Sequence, residues 1–169
     1  EERVLRALSA KVEDHSSHLL SGLEVAAHLD LALAKARYAI SIKATPPAVI
    51  QAERQYVWLS EARHPLLGEA VPISVKIGDQ WPVLLVTGPN AGGKTVALKT
   101  VGLLILMAQA GLHVPAKEAT LTVFDGVYVD IGDQQSIERS LSTFSFHIQN
   151  LRAVMEQATE RSLVLVDEL

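Results

Sequence analysis

Eight consecutive residues constrain this chain more than any other feature. Gly88-Pro89-Asn90-Ala91-Gly92-Gly93-Lys94-Thr95 stands between the apolar run Val83-Leu84-Leu85-Val86 and a helix-forming run that begins at Lys94. A continuous apolar run of that length predicts a strand covered on both faces. Glycines let backbone amides converge on an anion with no side chain in the way. The helix that follows points the positive end of its dipole at the same place. The pattern is G-x-x-x-x-G-K-[ST], in which Lys94 reaches the β- and γ-phosphates of a nucleotide and the Thr95 hydroxyl ligates Mg²⁺. A chance match in a chain this long occurs roughly 1% of the time or less, and the strand-before, helix-after context lowers that further. The reading is a Walker A loop for ATP and Mg²⁺, with residues 88–95 and the adjoining Val96 around the phosphates.

A second element depends on the first. Leu163–Val166 reads as a second strand buried on both faces, and with Asp167-Glu168 at its end it has the form of a Walker B strand. By itself, an apolar tetrapeptide before two carboxylates is more often an exposed strand end. About 70 residues after a Walker A loop it acquires meaning, because catalytic groups of parallel sheets gather at the carboxyl ends of strands. Asp167 is then expected to hold Mg²⁺ through water, and Glu168 to orient or deprotonate the attacking water.

The rest of the chain supplies the frame. Residues 1–43 read as helix, in a short stripe (Val4, Leu5, Leu8, Val12) and, after Ser16 or Ser17, a longer run from Leu19 to Tyr38 with apolar residues on several faces. Such a helix is expected to be buried among others. Pro46-Pro47 stops it. Val71, Ile73, Val75 and Ile77 alternate as in a strand and lead to a Gly78-Asp79 turn. The helix from Lys94 is predicted to run to Ala110 and to end on Gly111 at the C′ position. Residues 123–131 have strand character, interrupted at Asp125-Gly126. Ile137, Leu141, Phe144, Ile148, Leu151 and Met155 form a helical stripe. Strands alternating with helices from about Leu66 predict a parallel α/β sheet. The domain division is a helical segment over 1–47 and an ATPase portion over 48–169.

Composition narrows the partners. With 49% hydrophobic residues, 20% charged and no cysteine, the chain of 169 residues suits a soluble domain without disulfides or thiolate metal sites, in keeping with a cytoplasmic setting. A net charge of −4 argues against this segment being a main nucleic-acid surface. No apolar stretch is long enough to span a membrane, and no secretory signal is evident. Both ends look cut. His15 and His18 lie three apart on a helix, a spacing that can bind metal, but with no third ligand nearby a solvated face is the better reading.

Several stretches resemble the MutS family of DNA mismatch-repair-like ATPases. Gly-Pro-Asn at 88–90 looks like that family specifically, and Ala62-Arg63-His64-Pro65-Leu66-Leu67 is similar to the segment that precedes its ATPase sheet. Residues 95–112 (TVALKTVGLLILMAQAGL), 130–136 (DIGDQQS) and 140–147 (SLSTFSFH) resemble the branch called MutS-two, as does Ala36-Arg37-Tyr38-Ala39. Position 91 is Ala where the family usually has Thr, a change that leaves the backbone contact intact. The resemblance implies an α/β P-loop NTPase of ABC/MutS type, here an incomplete parallel sheet with flanking helices behind a long-helix core segment. It also implies a homodimer with composite nucleotide sites. On that basis Ser142 in Ser142-Thr143-Phe144 reaches the partner's γ-phosphate, Asn90 positions the attacking water, and His64 borders the adenine. Ser142 can also be read from the residues as a helix cap facing an anion or as part of one polar helix face. Gln134 and Gln135 are weaker candidates near the nucleotide.

The family's Gly-rich loop after Asp-Glu-Leu, its switch histidine, its clamp and its Smr domain, to which nuclease activity is sometimes credited, have no counterpart in these residues. The resemblance implies a parent protein in which ATP-driven dimer closure acts on branched or recombining DNA or, in some relatives, on collided ribosomes through rRNA contacts. The alternative is a structural and dimerisation module without turnover. The lack of an LSGGQ-like signature between the Walker motifs disfavours a transporter or chromosome-maintenance head.

Overall fold

The computed structural model describes residues 1–89, 92–131 and 140–167, the stretch 140–146 as helical backbone only. Two helices open the chain, α1 (Glu2–Asp14) and α2 (Ser16–Ser41), separated at His15, whose φ of −111° breaks the helical path. Apart from Ala39, the described side chains of α1 and α2 are not buried. This corrects the expectation of a helix packed among others. The apolar residues of α2 lie all round its axis, and among the described residues only its C-terminal end meets the body of the molecule. There Lys35 Nζ donates to the Ala110 carbonyl at 3.2 Å, and Thr45 forms a β-bridge with Val114.

The strands form two sheets. The larger has the order β1-β4-β2-β3, with β1 (Ala48–Ile50), β2 (Tyr56–Ala62), β3 (Ile73–Gly78) and β4 (Glu118–Thr122). Here β2 runs antiparallel to both β3 and β4, and β1 parallel to β4. The smaller sheet is the parallel pair β5 (Gly126–Asp130) and β6 (Ser162–Val166), in register from Gly126↔Ser162 to Asp130↔Val166. The expected all-parallel sheet from Leu66 onward is therefore replaced by a mixed sheet and a separate parallel pair.

The helix α3 (Lys94–Gln109) joins the two sheets. Its residues Val101, Leu104, Ile105, Met107 and Ala108 pack in one core with Val57 and Leu59 of β2, Leu121 of β4, and Leu163 and Leu165 of β6. Gly111, at φ 73°, ends it in a Schellman motif: Gly111 N–H donates to Ala108 O at 3.0 Å and Leu112 N–H to Met107 O at 2.9 Å. Side-chain amides tie the sheets together. Gln55 Nε2 donates to the carbonyls of Val123 (2.8 Å) and Arg161 (2.9 Å), and Gln109 exchanges two hydrogen bonds with the Phe124 backbone.

Three further expectations are corrected. Residues 83–86 are not strand, and Val83 and Leu85 are 82% and 76% exposed. An apolar run shows that a segment tolerates cover, but a strand exists only where a neighbour completes its hydrogen bonds. Among the described residues the sole ladder partner of β6 is β5. Second, β6 is covered on one face, with Leu163 and Leu165 buried and Val164 exposed. Third, α4 (Ser140–Gln157) packs by a face rotated from the predicted stripe. Met155 is 85% exposed and Ile148 half exposed, whereas His147, Asn150, Leu151 and Val154 turn inward. The polar members of that face were invisible to a search for apolar periodicity. Ile137 lies outside the described residues.

Candidate nucleotide-binding site

The site begins with the turn that leads into α3. Gly92 N–H donates to the Pro89 carbonyl at 2.9 Å, closing the turn, and Gly93 adopts φ 76°, ψ 18° as the N-cap of α3. A Cβ at Gly93 would meet nothing within 4 Å, so the left-handed backbone rather than space favours glycine there. Among the described residues no side chain caps α3, and its first turn has no acidic residue. Its leading amide groups are thus oriented toward the loop, an arrangement that suits an anion. Lys94 folds over the same turn, its Nζ donating to the carbonyls of Gly88 (2.7 Å) and Pro89 (3.0 Å).

From Lys94 the geometry extends to β6. Thr95 Oγ1 donates to Asp167 Oδ2 at 2.5 Å, joining positions 72 residues apart. Asp167 is buried immediately beyond β6, and its backbone N–H donates to the Asp130 carbonyl at 2.9 Å, the terminal hydrogen bond of the β5–β6 ladder. A hydroxyl and a carboxylate are hard oxygen donors of the kind Mg²⁺ takes, together with waters and phosphate oxygens. The donor set therefore fits the magnesium–nucleotide implied by the loop.

The remaining sequence candidates are placed differently. Gly88, Pro89, Gly92 and Gly93 form the turn with Lys94, and Val96 is partly exposed on the first turn of α3. Asn90, Ala91, Gln134, Gln135 and Glu168 lie outside the described residues. Ser142 falls within α4, which is already helical at Ser140, so it is not that helix's N-cap; its side chain lies outside the described part. His64 accepts a hydrogen bond at Nδ1 from Leu66 N–H at 3.3 Å, a contact within its own turn. His15 Nδ1 contacts the Lys11 carbonyl, and both His15 and His18 are exposed.

Sequence reasoning assigned no role to Asp130, His147 or Asn150. The Asp130 carboxylate, 4% exposed, accepts from His147 Nδ1 at 2.9 Å and from Asn150 Nδ2 at 3.2 Å. The i, i+3 spacing of His147 and Asn150, which places both on one helix face, was the signal available beforehand. Elsewhere, the hydroxyls of Thr159 (2.6 Å) and Ser162 (2.8 Å) donate to Asp125 and hold its carboxyl below the usual carboxylate range.

Residues 84–169 match MutS domain V, the ATPase domain of the MutS family, and the chain belongs to that family. Its likeness within the family is to the MutS2 branch. It is 53% identical to Endonuclease MutS2 of Shouchella clausii, over 99% of this chain and 22% of that protein. The same-named proteins of Halothermothrix orenii and Thermomicrobium roseum are 47% and 50% identical, each over 99% of this chain and over 21% and 23% of their own length. The chain thus spans about a fifth of the curated relatives it matches. Among the described residues, no helix is long and apolar enough to cross a membrane.

Proposed function

We propose that this chain is the ATP-binding segment of a MutS2-type, Mg²⁺-dependent ATPase, comprising a helical segment over 1–47 and the first part of the ATPase domain over 48–169. The hydrogen bond between Thr95 and Asp167 carries the reading, because it unites the two motifs that a P-loop ATPase needs in one place. Lys94 neutralises β- and γ-phosphate oxygens, while the backbone amides around Gly93 and the start of α3 cradle them. Thr95 and Asp167 would hold Mg²⁺ through the hydroxyl and the carboxylate, and the ion would supply charge that offsets that of the phosphates. Glu168 acts as general base toward the attacking water and Asn90 helps to position it. Ser142 serves the site of a second copy in a homodimer, and His64 borders the base.

In the parent protein this ATP cycle drives dimer closure on branched or recombining DNA, or on collided ribosomes. The endonuclease activity in the relatives' names is assigned to parts of such a protein outside these residues. Titration of a fluorescent ATP analogue with Mg²⁺ tests the site. Saturable binding lost in Lys94→Ala is expected, and submicromolar affinity retained by that variant sinks the assignment. Glu168→Gln is expected to bind ATP without turning it over, so unchanged turnover would remove Glu168 from the chemistry.

A second reading, a structural and dimerisation module, draws on the exposed apolar run at 83–86 and the exposed leucines of α2. Contiguous apolar surface of this kind promotes association. Light scattering decides it, since a monodisperse monomer at high concentration contradicts a dimerising role for these surfaces.

A further inference from the structure

We propose that Asp130, His147 and Asn150 form a positioning unit that holds Asp167 where it can serve the magnesium–nucleotide, an inference that rests on the nucleotide site proposed above. The three residues come from two elements. Asp130 is the last residue of β5, and His147 and Asn150 lie one turn apart on the inward face of α4. Asp130 is among the few buried polar residues described, and its carboxylate receives a hydrogen bond on each oxygen: His147 at Oδ2 and Asn150 at Oδ1. An ionised carboxylate only accepts, so the His147 tautomer that completes this arrangement carries its proton on Nδ1.

The same residue meets Asp167 through its backbone. The Asp130 carbonyl accepts the Asp167 N–H at 2.9 Å, the terminal hydrogen bond of the ladder at the Asp130↔Val166 pair. Among the described residues each strand of this short parallel pair has a neighbour on one side only, so the pair is poorly held at its end. Pinning the Asp130 side chain from α4 prevents that last rung from opening. Asp167 is thereby fixed from two directions, by the Asp130 carbonyl on its backbone and by the Thr95 hydroxyl on its carboxylate. Burying a carboxylate demands such partners, because an unpaired charge in the interior is strongly unfavourable. That demand accounts for two polar residues on the packed face of α4. The position of the unit, directly behind a magnesium-binding carboxylate, accounts for its place in the fold. Residues that orient a metal-binding group from behind typically change metal affinity about 10–100-fold when they are removed.

Among the described residues, the unit makes no hydrogen bond to the loop that receives the phosphates. Its loss should therefore act on the magnesium-dependent part of nucleotide affinity and spare the part that the loop amides and Lys94 provide. The test is a pair of titrations of a fluorescent ATP analogue, one with Mg²⁺ and one with EDTA, on this chain and its variants, with circular dichroism as a check on folding. In His147→Phe and in Asn150→Leu the Mg²⁺-dependent gain in affinity is expected to fall about tenfold, with affinity in EDTA unchanged. His147→Asn, whose Nδ2 amide can donate from near the place of Nδ1, is expected to recover most of that gain. Should His147→Phe fail to fold, Asn150→Leu carries the same comparison.

An unchanged Mg²⁺-dependent gain in the folded variants overturns the proposal. So does a parallel loss of affinity with and without Mg²⁺, which marks a role in the fold alone. If the parent chain shows no nucleotide binding that Lys94→Ala abolishes, the nucleotide site itself is refuted, and the positioning role with it.

Discussion

The contact between α3 and β6 makes a sharp quantitative prediction. Gly102 and Thr95 are seven residues apart, two helical turns, and so lie on the same stripe of α3. Leu165 and Asp167 are two residues apart and so share one face of the β6 strand. Thr95 bonds Asp167, and a Cβ built on Gly102 would stand 2.6 Å from Leu165 Cδ1, closer than carbon atoms approach. Replacing Gly102 by Ala should gain about 1 kcal/mol from helix propensity. Against this stands an overpacking cost of about 1–3 kcal/mol, because Leu165 is buried and its methyl has little room to turn away. Gly102→Ala should therefore range from nearly neutral to about 2 kcal/mol destabilising.

The decisive comparison is a double-mutant cycle with Leu165→Val, which removes Cδ1 at a cost of about 1 kcal/mol. In that background the clash is gone, and Gly102→Ala should stabilise by about 1 kcal/mol. The coupling energy is then about 1–3 kcal/mol, read from urea denaturation or as a difference of about 2–4 °C in melting temperature per kcal/mol. Additivity within about 0.5 kcal/mol would refute the close approach of α3 to β6 and the account of how Thr95 is brought to Asp167.

Other consequences follow from single features. Asp125→Asn should flatten the acid limb of the stability profile. The carboxyl is held low by Thr159 and Ser162, so its contribution is complete above its unfolded value and is lost as pH falls through its lower folded value. Melting curves at neutral pH and in strong acid check this, and equal sensitivity of both proteins to acid would count against it. Gly111→Ala should destabilise by about 1 kcal/mol in chemical denaturation, because φ 73° strains any residue with a Cβ. Leu104→Ala should cost about 2–5 kcal/mol as a fully buried core truncation. Leu23→Ala in exposed α2 should stay within about 0.5 kcal/mol by the same assay.

What was legible in the sequence was local. The turn at Gly78-Asp79, the start of α3 at Lys94 and its end at Gly111 each depend on hydrogen bonds that close within five residues, and glycine marks the positive φ that such turns require. Thr95 and Asp167 were also both legible as motif residues, since the chemistry of phosphate and magnesium demands those types in that order. The strand β4 escaped notice although Ala119 and Leu121 alternate with polar residues, because five residues of alternation are a weak signal without a partner in view.

Partnership was decided only in three dimensions. Nothing near residues 118–122 in the chain indicates that they insert between β1 and β2, whose registers with β4 join residues about 60–70 positions apart. Residues 83–86 have the composition of a buried strand, yet they lie exposed because ladder bonds are made with a neighbour and composition cannot supply one. The same holds at the site. His147 and Asn150 read as polar interruptions of a helical stripe until the fold sets them against Asp130, where a buried carboxylate must have donors. The sequence by itself determined which residues can turn and end a helix, because those properties reside in single residues and their immediate neighbours. The tertiary structure decided which faces are covered and which side chains meet, because burial and pairing are properties of two distant segments at once.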